Sequence, residues 1–470
     1  MKKVFVNGDF NVLHPGHIRL LKFAKESGDY LVVGVNCDAI SSKSVSEDIR
    51  LESIQATSYV DESFILRTSA LEYIKENKPD IVVKGKEHEL KENVELDVVR
   101  SYGGQLIFSS GEIGFSSMDL LRREFLSLSN NVNHNTKYTK RHDIELESLK
   151  RIIEKFHDLK VLVVGDTIVD EYITCEPLGM SQEDPTIVVS PLATNKFIGG
   201  AAIVASHART LGADVKFISV VGDDENNHYV QEGLSALNIE TSLFYDTTRP
   251  TTLKQRFRAS NKTLLRVNHV KQHSVSKDIE NEILSNVREC IDEMDLIIFS
   301  DFSYGVLTDN IIEGIVALGE QKNIFMAADS QSSSQNGDIT KFKGMDLVTP
   351  TEREIRLSLN DFSSGLVILS EKLSAKSSPK YIFTTLGAEG LMIYNSVEDK
   401  LLTDNVEALG SIIKDVSGAG DSLLTSSSMA LAVGADIWQS AYIGSLCAAI
   451  QVSRVGNIPI TKKEILDELD

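Results

Sequence analysis

The residues best suited to chemistry lie in the run from Asp415 to Asp421, which leads into an apolar segment of small residues. Glycine and alanine let backbone N–H groups approach an anion, and a helix N-terminus adds the positive end of a dipole. Gly418, Ala419 and Gly420 therefore form a candidate phosphate cradle, and the adjacent Asp421 carboxylate suits a base that takes a hydroxyl proton. The same residues also suit a plain turn with a capping aspartate.

A second candidate site, His14-Pro15-Gly16-His17, follows the first apolar run of the chain. Two histidines three residues apart at a helix start can point side by side, and imidazole N–H donors suit a phosphate that gains charge during displacement. Ligands bind at the carboxyl ends of parallel strands, and this motif follows the first predicted strand. A pair of capping or core histidines is the structural alternative.

Carboxylates and small residues mark a third place, at the end of the strand predicted over 160–164. Asp166 and Asp170 follow this strand, where hydroxyl-rich ligands are commonly held. Gly199 and Gly200 precede a predicted helix and would admit a ligand close to the backbone. We predict that these four residues bind substrate; an N-cap plus a surface aspartate is the alternative.

The elements that must position these residues alternate between strand-like and helical segments. In the first 128 residues this alternation predicts one doubly wound parallel sheet. Its strands are predicted at 4–6, 30–35, 81–83 and 106–108, with helices at 16–25, 70–76 and 118–125. A polar stretch without periodicity over 129–142 is predicted to be a linker.

A second, larger α/β domain is predicted over 143–470. Its strands are predicted at 160–164, 215–221, 296–299, 324–327, 345–348 and 381–384, and its helices include one from 423 to about 433. Two stretches, 252–257 and 264–267, instead alternate apolar and polar residues, which predicts exposed antiparallel strands that form a lid.

The composition restricts the partners of the chain. Its 470 residues are 42% apolar and carry a formal charge of −20, which disfavours nucleic acid and anionic membrane surfaces. Four scattered cysteines suggest neither a zinc site nor a disulfide framework. The first apolar run is too short for a signal peptide, and no segment reaches the length of a membrane span, so we expect a cytoplasmic protein.

The first domain resembles the cytidylyltransferase-like nucleotidyltransferases, on the HxGH motif at 14–17, the strand at 28–38 and the segment 79–85. The resemblance implies catalysis by His14 and His17 and a second nucleoside triphosphate, ATP or CTP. The residues that it implies for nucleotide or phosphate binding are Gly8, Asp9, Phe10, Lys43, Lys84, Ser116, Ser117 and Arg122. The sequence departs from the family at Asn11 and Met118 and in the short stretch 41–59.

The second domain resembles the ribokinase-like sugar kinases over about 159–459, because the glycine-rich motifs at 198–202, 387–390 and 418–421 occur in the order of that family. The segments 178–189 and 265–268 are similar to the heptose-phosphate kinase half of the bifunctional enzymes that make ADP-heptose, in which the kinase comes first. The resemblance implies Mg²⁺ and ATP as cofactors, Asp421 as catalytic base, substrate contacts from Arg266 and phosphate contacts from Gly387. Glu354 would bind the nucleotide phosphates and order magnesium through water.

Together the two resemblances imply a sugar-phosphate kinase joined to a sugar-1-phosphate nucleotidyltransferase, with an NDP-sugar such as ADP-heptose as product. They also imply small-molecule partners and a homodimer formed through the kinase lid. Two alternatives remain: a kinase whose first domain is a non-catalytic nucleotide-binding or interaction module, and a pair of activities on glycerol or pentose derivatives. The departures at Asn11 and Met118 favour the first alternative.

Overall fold

The chain folds into two compact units. The computed structural model describes residues 2–11, 13, 15–39, 45–85, 93–108, 136–181, 183–184, 186–259, 262–331, 337–396, 402–410 and 412–470. The first unit comprises Met1–Ser129 with Ser363–Ile368, and the second comprises Asn130–Phe362 with Leu369–Asp470. The predicted fold class, two α/β units with parallel sheets, is confirmed.

The first unit is a five-stranded parallel sheet in the order β3-β2-β1-β4-β5. Its strands are β1 (Lys3–Gly8), β2 (Tyr30–Asn36), β3 (Glu62–Leu66), β4 (Ile81–Lys84) and β5 (Gln105–Phe108). Its described helices are α1 (Pro15–Glu26), α2 (Glu47–Gln55), α3 (Ala70–Asn77) and α4 (Glu95–Ser101). The strand order reverses between β1 and β4, so a crevice for ligands is expected beyond their carboxyl ends.

The central strands of this unit are apolar on both faces because helices cover both sides of the sheet. Val4, Phe5 and Val6 on β1 are fully buried, as are Leu31 and Val33 on β2. The edge strand β3 was not expected from the sequence. It has one buried residue, Leu66, and therefore lacks the continuous apolar run that marks the central strands.

The second unit is built on a nine-stranded sheet in the order β10-β9-β6-β13-β14-β15-β16-β17-β18. Its strands are β6 (Lys160–Gly165), β9 (Asp214–Val221), β10 (Glu240–Tyr245), β13 (Leu296–Asp301), β14 (Phe325–Ser330), β15 (Leu347–Val348), β16 (Tyr381–Thr385), β17 (Leu391–Asn395) and β18 (Leu402–Val406). Pairing is parallel from β10 to β16 and antiparallel from there to β18.

Helices accompany this sheet along the chain. They are α5 (Thr136–Arg141), α6 (Leu146–Glu154), α7 (Ala201–Leu211), α8 (Glu225–Ala236), α9 (Lys277–Cys290), α10 (Asp309–Lys322), α11 (Glu352–Leu359), α12 (Leu366–Ser377), α13 (Ala419–Ala432), α14 (Ile437–Val452) and α15 (Lys462–Leu469). Short 3₁₀ turns lie at Lys155–Asp158, Ile291–Glu293, Ile339–Lys341 and Gly387–Glu389. Helices α13 and α14 pack on each other in the main core, and every residue from Asp421 to Leu431 is buried.

A separate four-stranded sheet, in the order β12-β11-β7-β8, forms the lid. Its strands are β7 (Thr167–Met180), β8 (Ile187–Gly200), β11 (Thr252–Ala259) and β12 (Lys262–His269). The sequence predicted the last two, whereas the 14-residue strands β7 and β8 were not expected. Asp166 alone separates β6 from β7, and the inner half of β7 is buried on both faces, so its sequence shows no alternation.

The segment predicted as a linker differs from expectation over the part that the structure describes. Residues 136–141 form α5, and Tyr138 on this helix is fully buried in the core of the second unit. The Tyr138 hydroxyl donates to the Trp438 carbonyl oxygen at 3.0 Å, and His142 stacks on the Trp438 ring. Ordered packing in this unit therefore begins before residue 143. The predicted boundary at 128 stays a prediction.

None of the described helices is both long enough and apolar enough to cross a bilayer.

Candidate functional site

Gly418 immediately precedes helix α13. It is the N-cap residue with φ 78°, a left-handed conformation that glycine adopts without strain. A Cβ atom at this position would lie 2.5 Å from Asn457 Oδ1, whereas one at Gly420 would meet nothing within 4 Å. The first turn of the helix thus presents backbone N–H groups and the positive end of its dipole to open space. This arrangement suits an anion.

Asp421 lies in the first turn of α13 with 5% of its surface exposed. Its Oδ1 accepts a hydrogen bond of 2.8 Å from the Gln331 amide. Burial, and then the charge of Asp170, raise the pKa of Asp421 to about 7, while Lys254 and Gln331 oppose the rise. A carboxylate with this pKa accepts a proton near neutral pH, as a general base must.

These residues line a cavity of about 480 Å³ within the second unit. Among the predicted site residues, those that line it are Asp170, Gly200, Glu354, Gly387, Gly418, Ala419, Gly420 and Asp421. Four lining residues, Asp329, Thr349, Ser445 and Asn457, each carry a buried side-chain oxygen without a hydrogen-bond partner among the described residues. Buried polar atoms are normally paired, so these orphaned oxygens indicate that the cavity takes a polar ligand.

Two carboxylates, Asp329 and Glu354, line the cavity together with Asp421. Burial, followed by the charges of Glu354 and Asp421, raises the pKa of Asp329 well above its usual range. Glu354 belongs to a capping box at the start of α11: its Oε2 accepts from the Thr351 N–H at 2.7 Å, and Thr351 Oγ1 accepts from the Glu354 N–H at 3.2 Å. The helix cap thus fixes the direction of the Glu354 side chain.

The lid contributes charged side chains from β7 and β11. Lys254 and Arg256 both line the cavity, and Arg256 pairs with Asp170 at 3.1 Å. Asp170 also accepts from the Asn457 amide at 3.1 Å. The Lys254 ammonium lies 4.6 Å from the centre of the Phe302 ring, within cation–π range. Sequence analysis did not single out Lys254 or Arg256, although the alternation of β11 places both on one face.

Asp166, predicted to bind substrate, is not among the residues that line the cavity. Its carboxylate accepts backbone N–H bonds from Phe302 at 2.8 Å, Tyr304 at 3.3 Å and Val306 at 3.4 Å. Burial, followed by the charge of Asp301, raises the pKa of Asp166 to about 6. In the structure Asp166 therefore holds the loop after β13.

The other three residues predicted to bind substrate are Gly199, Gly200 and Arg266, and only Gly200 lines the cavity. Gly199 lies beside Asp170, and a Cβ atom there would come within 2.5 Å of Asp170 Oδ2. Gly200 has φ 61°, and a Cβ atom there would approach the Asp166 carbonyl oxygen to 2.2 Å. Arg266 is exposed on the edge strand β12, directly opposite Arg256 in the strand register, and does not line the cavity.

In the first unit, the end of β1 is held by a fully buried arginine, Arg50. Its guanidinium donates to the Asp9 carbonyl oxygen at 2.5 Å, the Val45 carbonyl oxygen at 2.9 Å and Asp38 Oδ1 at 2.6 Å. It also holds the pKa of Asp38 below its usual range. Arg50 therefore braces the loop after β1.

The other described transferase residues surround this loop. Gly8 ends β1, and the Asp9 carboxylate accepts from the Asn36 amide at 2.7 Å. Phe10 is buried with φ 46°, and its ring meets the His17 ring edge-on at 5.0 Å between centroids. Lys84, at the end of β4, pairs with Glu95 at 3.0 Å. The predicted residues His14, Lys43, Ser116, Ser117 and Arg122 lie outside the described residues.

Comparison with known proteins finds a matching family model for each of the two units. A model of the pfkB family of carbohydrate kinases matches residues 158–464, and a cytidylyltransferase-like model matches residues 5–123. The "Bifunctional protein HldE" of Helicobacter hepaticus is 30% identical over 313 residues, which are 65% of this chain and 63% of that protein. HldE of Campylobacter jejuni strain RM1221 is 30% identical over 310 residues, with 65% and 64% covered. The chain thus spans less than two thirds of these relatives.

Solved structures show the same fold for the second unit. Arabidopsis thaliana ribokinase, complexed with ribose and ATP, has a TM-score of 0.52 at 16% identity, covering 66% of this chain and 98% of that one. Escherichia coli phosphofructokinase-2, with substrates and products, has a TM-score of 0.54 at 15% identity, covering 66% and 98%. The predicted resemblances are confirmed, with the cytidylyltransferase-like segment first. The chain belongs to the pfkB family of carbohydrate kinases and carries a cytidylyltransferase-like unit before the kinase unit.

Proposed function

We propose that the chain phosphorylates a sugar phosphate with ATP and then joins the resulting sugar 1-phosphate to a nucleotide. The observation that carries the proposal is Asp421, a buried carboxylate at the N-terminus of α13, in a cavity with the open backbone at Gly420. The resemblance at 178–189 and 265–268 favours a heptose 7-phosphate as substrate, so that the kinase step yields a heptose 1,7-bisphosphate. An ADP-heptose-like product then requires hydrolysis of the 7-phosphate by a phosphatase outside these two activities, before nucleotide transfer.

In the kinase step, Asp421 takes the proton of the anomeric hydroxyl as its oxygen attacks the γ-phosphorus of ATP. The bond from the γ-phosphorus to the bridging oxygen breaks, and ADP leaves with that oxygen. The backbone N–H groups at Gly418–Gly420 stabilise the charge on the transferring group, where fixed donors act most strongly. The pKa of Asp421, about 7, keeps the base available at neutral pH.

Magnesium fits the carboxylates on the nucleotide side of this proposal. Asp329 and Glu354 supply the hard oxygen donors that Mg²⁺ prefers, and Asp329 Oδ1 is buried without a partner among the described residues. Glu354 would order the ion through water, and Asp329 lies within the same group of charges. When bound, the ion neutralises the phosphate charge.

The lid would bind the second phosphate of the substrate. Arg256 lines the cavity, Arg258 follows on the same face of β11, and Arg266 lies opposite Arg256 on β12. Arg256 and Arg258 also contact one aromatic residue: each guanidinium is 5.2 Å from the centre of the Tyr172 ring. Arginines recognise phosphate through paired hydrogen bonds, which supports a phosphorylated rather than a neutral sugar.

In the transferase step, an oxygen of the sugar 1-phosphate attacks the α-phosphorus of ATP or CTP, and pyrophosphate leaves. His14 and His17 would donate to the α-phosphate, and Gly8, Asp9 and Phe10 would shape the nucleotide site with Lys84. Ser116, Ser117, Lys43 and Arg122 would hold the triphosphate. The location of the Gly8–Phe10 loop beyond β1, at the switch point of the sheet, supports this assignment.

A second function, in which the first unit binds a nucleotide or a partner without catalysis, is favoured by one observation. Two cations near the proposed transferase site are engaged within the protein: Arg50 is fully buried against Asp38, and Lys84 pairs with Glu95. Cations held in this way contribute less to binding a triphosphate, because the nearby carboxylates oppose its charge.

The test uses the full chain with Mg-ATP and a panel of heptose, hexose, pentose and glycerol phosphates, and it also supplies the matching sugar 1-phosphates directly for the transfer step. Sugar phosphorylation is followed by ADP formation, and transfer by pyrophosphate release with each of the four common triphosphates. Pyrophosphate release that requires a heptose phosphate supports the bifunctional proposal. ADP formation without pyrophosphate under any condition supports the second function, and absence of both activities contradicts the proposal.

We further propose a homodimer formed through the lid. The β7–β8 hairpin exposes four large apolar side chains, Leu178, Met180, Ile187 and Leu192, between 58% and 65% of their surfaces. Light scattering should report a dimer for the wild type and a monomer for the Leu178→Glu/Met180→Glu variant. The control Val94→Glu, at an exposed apolar residue of the first unit, should stay dimeric. A cytoplasmic location stays a prediction.

A further inference from the structure

Gln331 lies immediately beyond the carboxyl end of β14, among the residues that line the kinase cavity. Its backbone N–H donates to the Asp301 carbonyl oxygen at 2.8 Å. The preceding residue, Ser330, donates through its hydroxyl to Asp301 Oδ2 at 2.7 Å. Strand β13 therefore anchors the backbone from which the Gln331 side chain extends, and a fixed backbone limits the directions in which that side chain can point.

The side chain of Gln331 reaches the proposed base. Its Nε2 donates to Asp421 Oδ1 at 2.8 Å, and Gln331 also lowers the pKa of Asp329 against the effect of burial. The bond occupies one oxygen of the Asp421 carboxylate, so the other oxygen is the one available to a substrate hydroxyl. Gln331 is 90 residues from Asp421 in the chain.

The charges around Asp421 explain why a neutral donor suits this position. Asp170 on β7, Asp329 on β14 and Glu354 on α11 are carboxyl groups that line the cavity with Asp421, and the ammonium of Lys254 on β11 opposes their effect on Asp421. Asp329 and Asp421 repel each other, and an amide with two N–H donors can serve both without adding charge. A lysine at this position would add a positive charge and would lower the pKa of the Asp421 carboxyl.

We propose that Gln331 is a positioning residue of phosphoryl transfer, whose amide holds the Asp421 carboxylate in the orientation that receives the hydroxyl proton. The inference rests on the proposed role of Asp421 as base. Removing the amide leaves the cavity and both substrate sites in place but lets the carboxylate rotate. Chemistry should therefore weaken more than binding, because orientation of the base acts in the transition state.

The test compares Gln331→Leu with wild type in steady-state phosphorylation by the full chain, using the best sugar phosphate of the panel. We expect kcat to fall about 10- to 100-fold while KM for ATP and for sugar phosphate changes less than about 3-fold. Gln331→Lys, which restores an N–H donor of similar reach, should recover most of kcat. The control Gln231→Leu removes a half-buried glutamine outside the cavity that donates to Tyr245 at 3.0 Å and should match wild type.

Two further outcomes separate this inference from the proposed function. Asp421→Asn should abolish phosphorylation, and adding Gln331→Leu to it should cause no further loss, since the amide then has no base to orient. If Gln331→Leu has the kcat of wild type while Asp421→Asn is inactive, the proposed role of Gln331 is wrong and the role of Asp421 as base still stands. An active Asp421→Asn overturns the role of the base. If Gln331→Leu does not fold, equal kcat values for Gln331→Lys and Gln331→Glu overturn the inference, because the glutamate cannot donate when ionised.

Discussion

Asp421 must be ionised to take a proton, and its environment makes ionisation costly. Burial and the charge of Asp170 raise its pKa to about 7, so the base is largely protonated at pH 6. We expect kcat/KM for phosphorylation to fall about 10-fold per pH unit below pH 7. A pH profile from 5.5 to 8.5 measures this limb. Asp170→Asn removes the negative charge and should move the limb to lower pH; an unchanged limb would exclude Asp421 as the titrating group.

The same raised pKa has a consequence for stability. An aspartate titrates near pH 3.9 when unfolded, so between pH 4 and pH 7 the folded chain holds a proton that the unfolded chain has lost, and stability falls as pH rises. Asp421→Asn removes this cost. It should stabilise the kinase unit by about 2–4 kcal/mol at pH 8, and progressively less toward pH 4. Thermal melting of both proteins at pH 8 and pH 5 tests the sign; a variant that is less stable at pH 8 contradicts it.

At the residue scale, the sequence identified positions whose chemistry is local and missed those defined by distant contacts. Gly418 and Asp421 stand three residues apart, so turn and helix-start chemistry links them in the sequence. Gln331 and Asp421 are 90 residues apart, and no sequence pattern in either segment predicts their hydrogen bond. Asp166 follows a predicted strand as expected, yet its three bonds to the loop after β13 depend on pairing across the sheet.

The start of helix α13 depends on the backbone conformation of its N-cap residue, Gly418. Gly418 combines φ 78° with a Cβ position only 2.5 Å from Asn457 Oδ1. Gly434, just beyond the other end of α13, has φ 89° but nothing within 4 Å of its Cβ position. We expect Gly434→Ala to cost about 1 kcal/mol and leave kcat unchanged. Gly418→Ala should cost more and lower kcat of phosphorylation at least 10-fold, because the clash shifts the N–H groups of the cradle.

Urea unfolding and steady-state kinetics on the two glycine variants separate these effects. Equal losses of stability and wild-type kcat in both would show that Gly418 serves only the turn, which is the structural alternative that the sequence left open.

At the element scale, the pattern of apolar residues predicted elements that have one solvent-facing side or a long buried run. Strands β6 and β13 contain the continuous apolar runs 161–164 and 296–299 and were expected, and β11 alternates and was expected as a lid strand. Strand β7 was not predicted because its inner half is buried on both faces, whereas its outer half exposes Leu178. Strand β8 was not predicted because it is largely exposed, including Leu192, and is buried only at Gly199 and Gly200. Burial in this lid changes along each strand, so no single period describes it.

At the scale of the whole molecule, two units of different fold carry the two proposed activities. The sequence predicted this division because each unit has its own alternation of strands and helices, and matches to two separate family models agree with it. Asp421 lies in the second unit and His17 in the first. A loss of chemistry at one site should therefore leave the other site folded.

Mixing two single-site variants tests this independence. Asp421→Asn should make no sugar 1-phosphate but should release pyrophosphate when sugar 1-phosphate is supplied. His17→Ala should consume ATP and accumulate sugar 1-phosphate, with pyrophosphate release reduced about 100-fold or more, because a donor to the α-phosphate is lost. An equimolar mixture, with a phosphatase added to remove the original phosphate of the intermediate, should form the nucleotide sugar from the sugar phosphate, since the intermediate passes through solution from one variant to the other. A mixture that stays inactive, although each variant retains its partial reaction, would show that sugar 1-phosphate is not released to solution between the two steps.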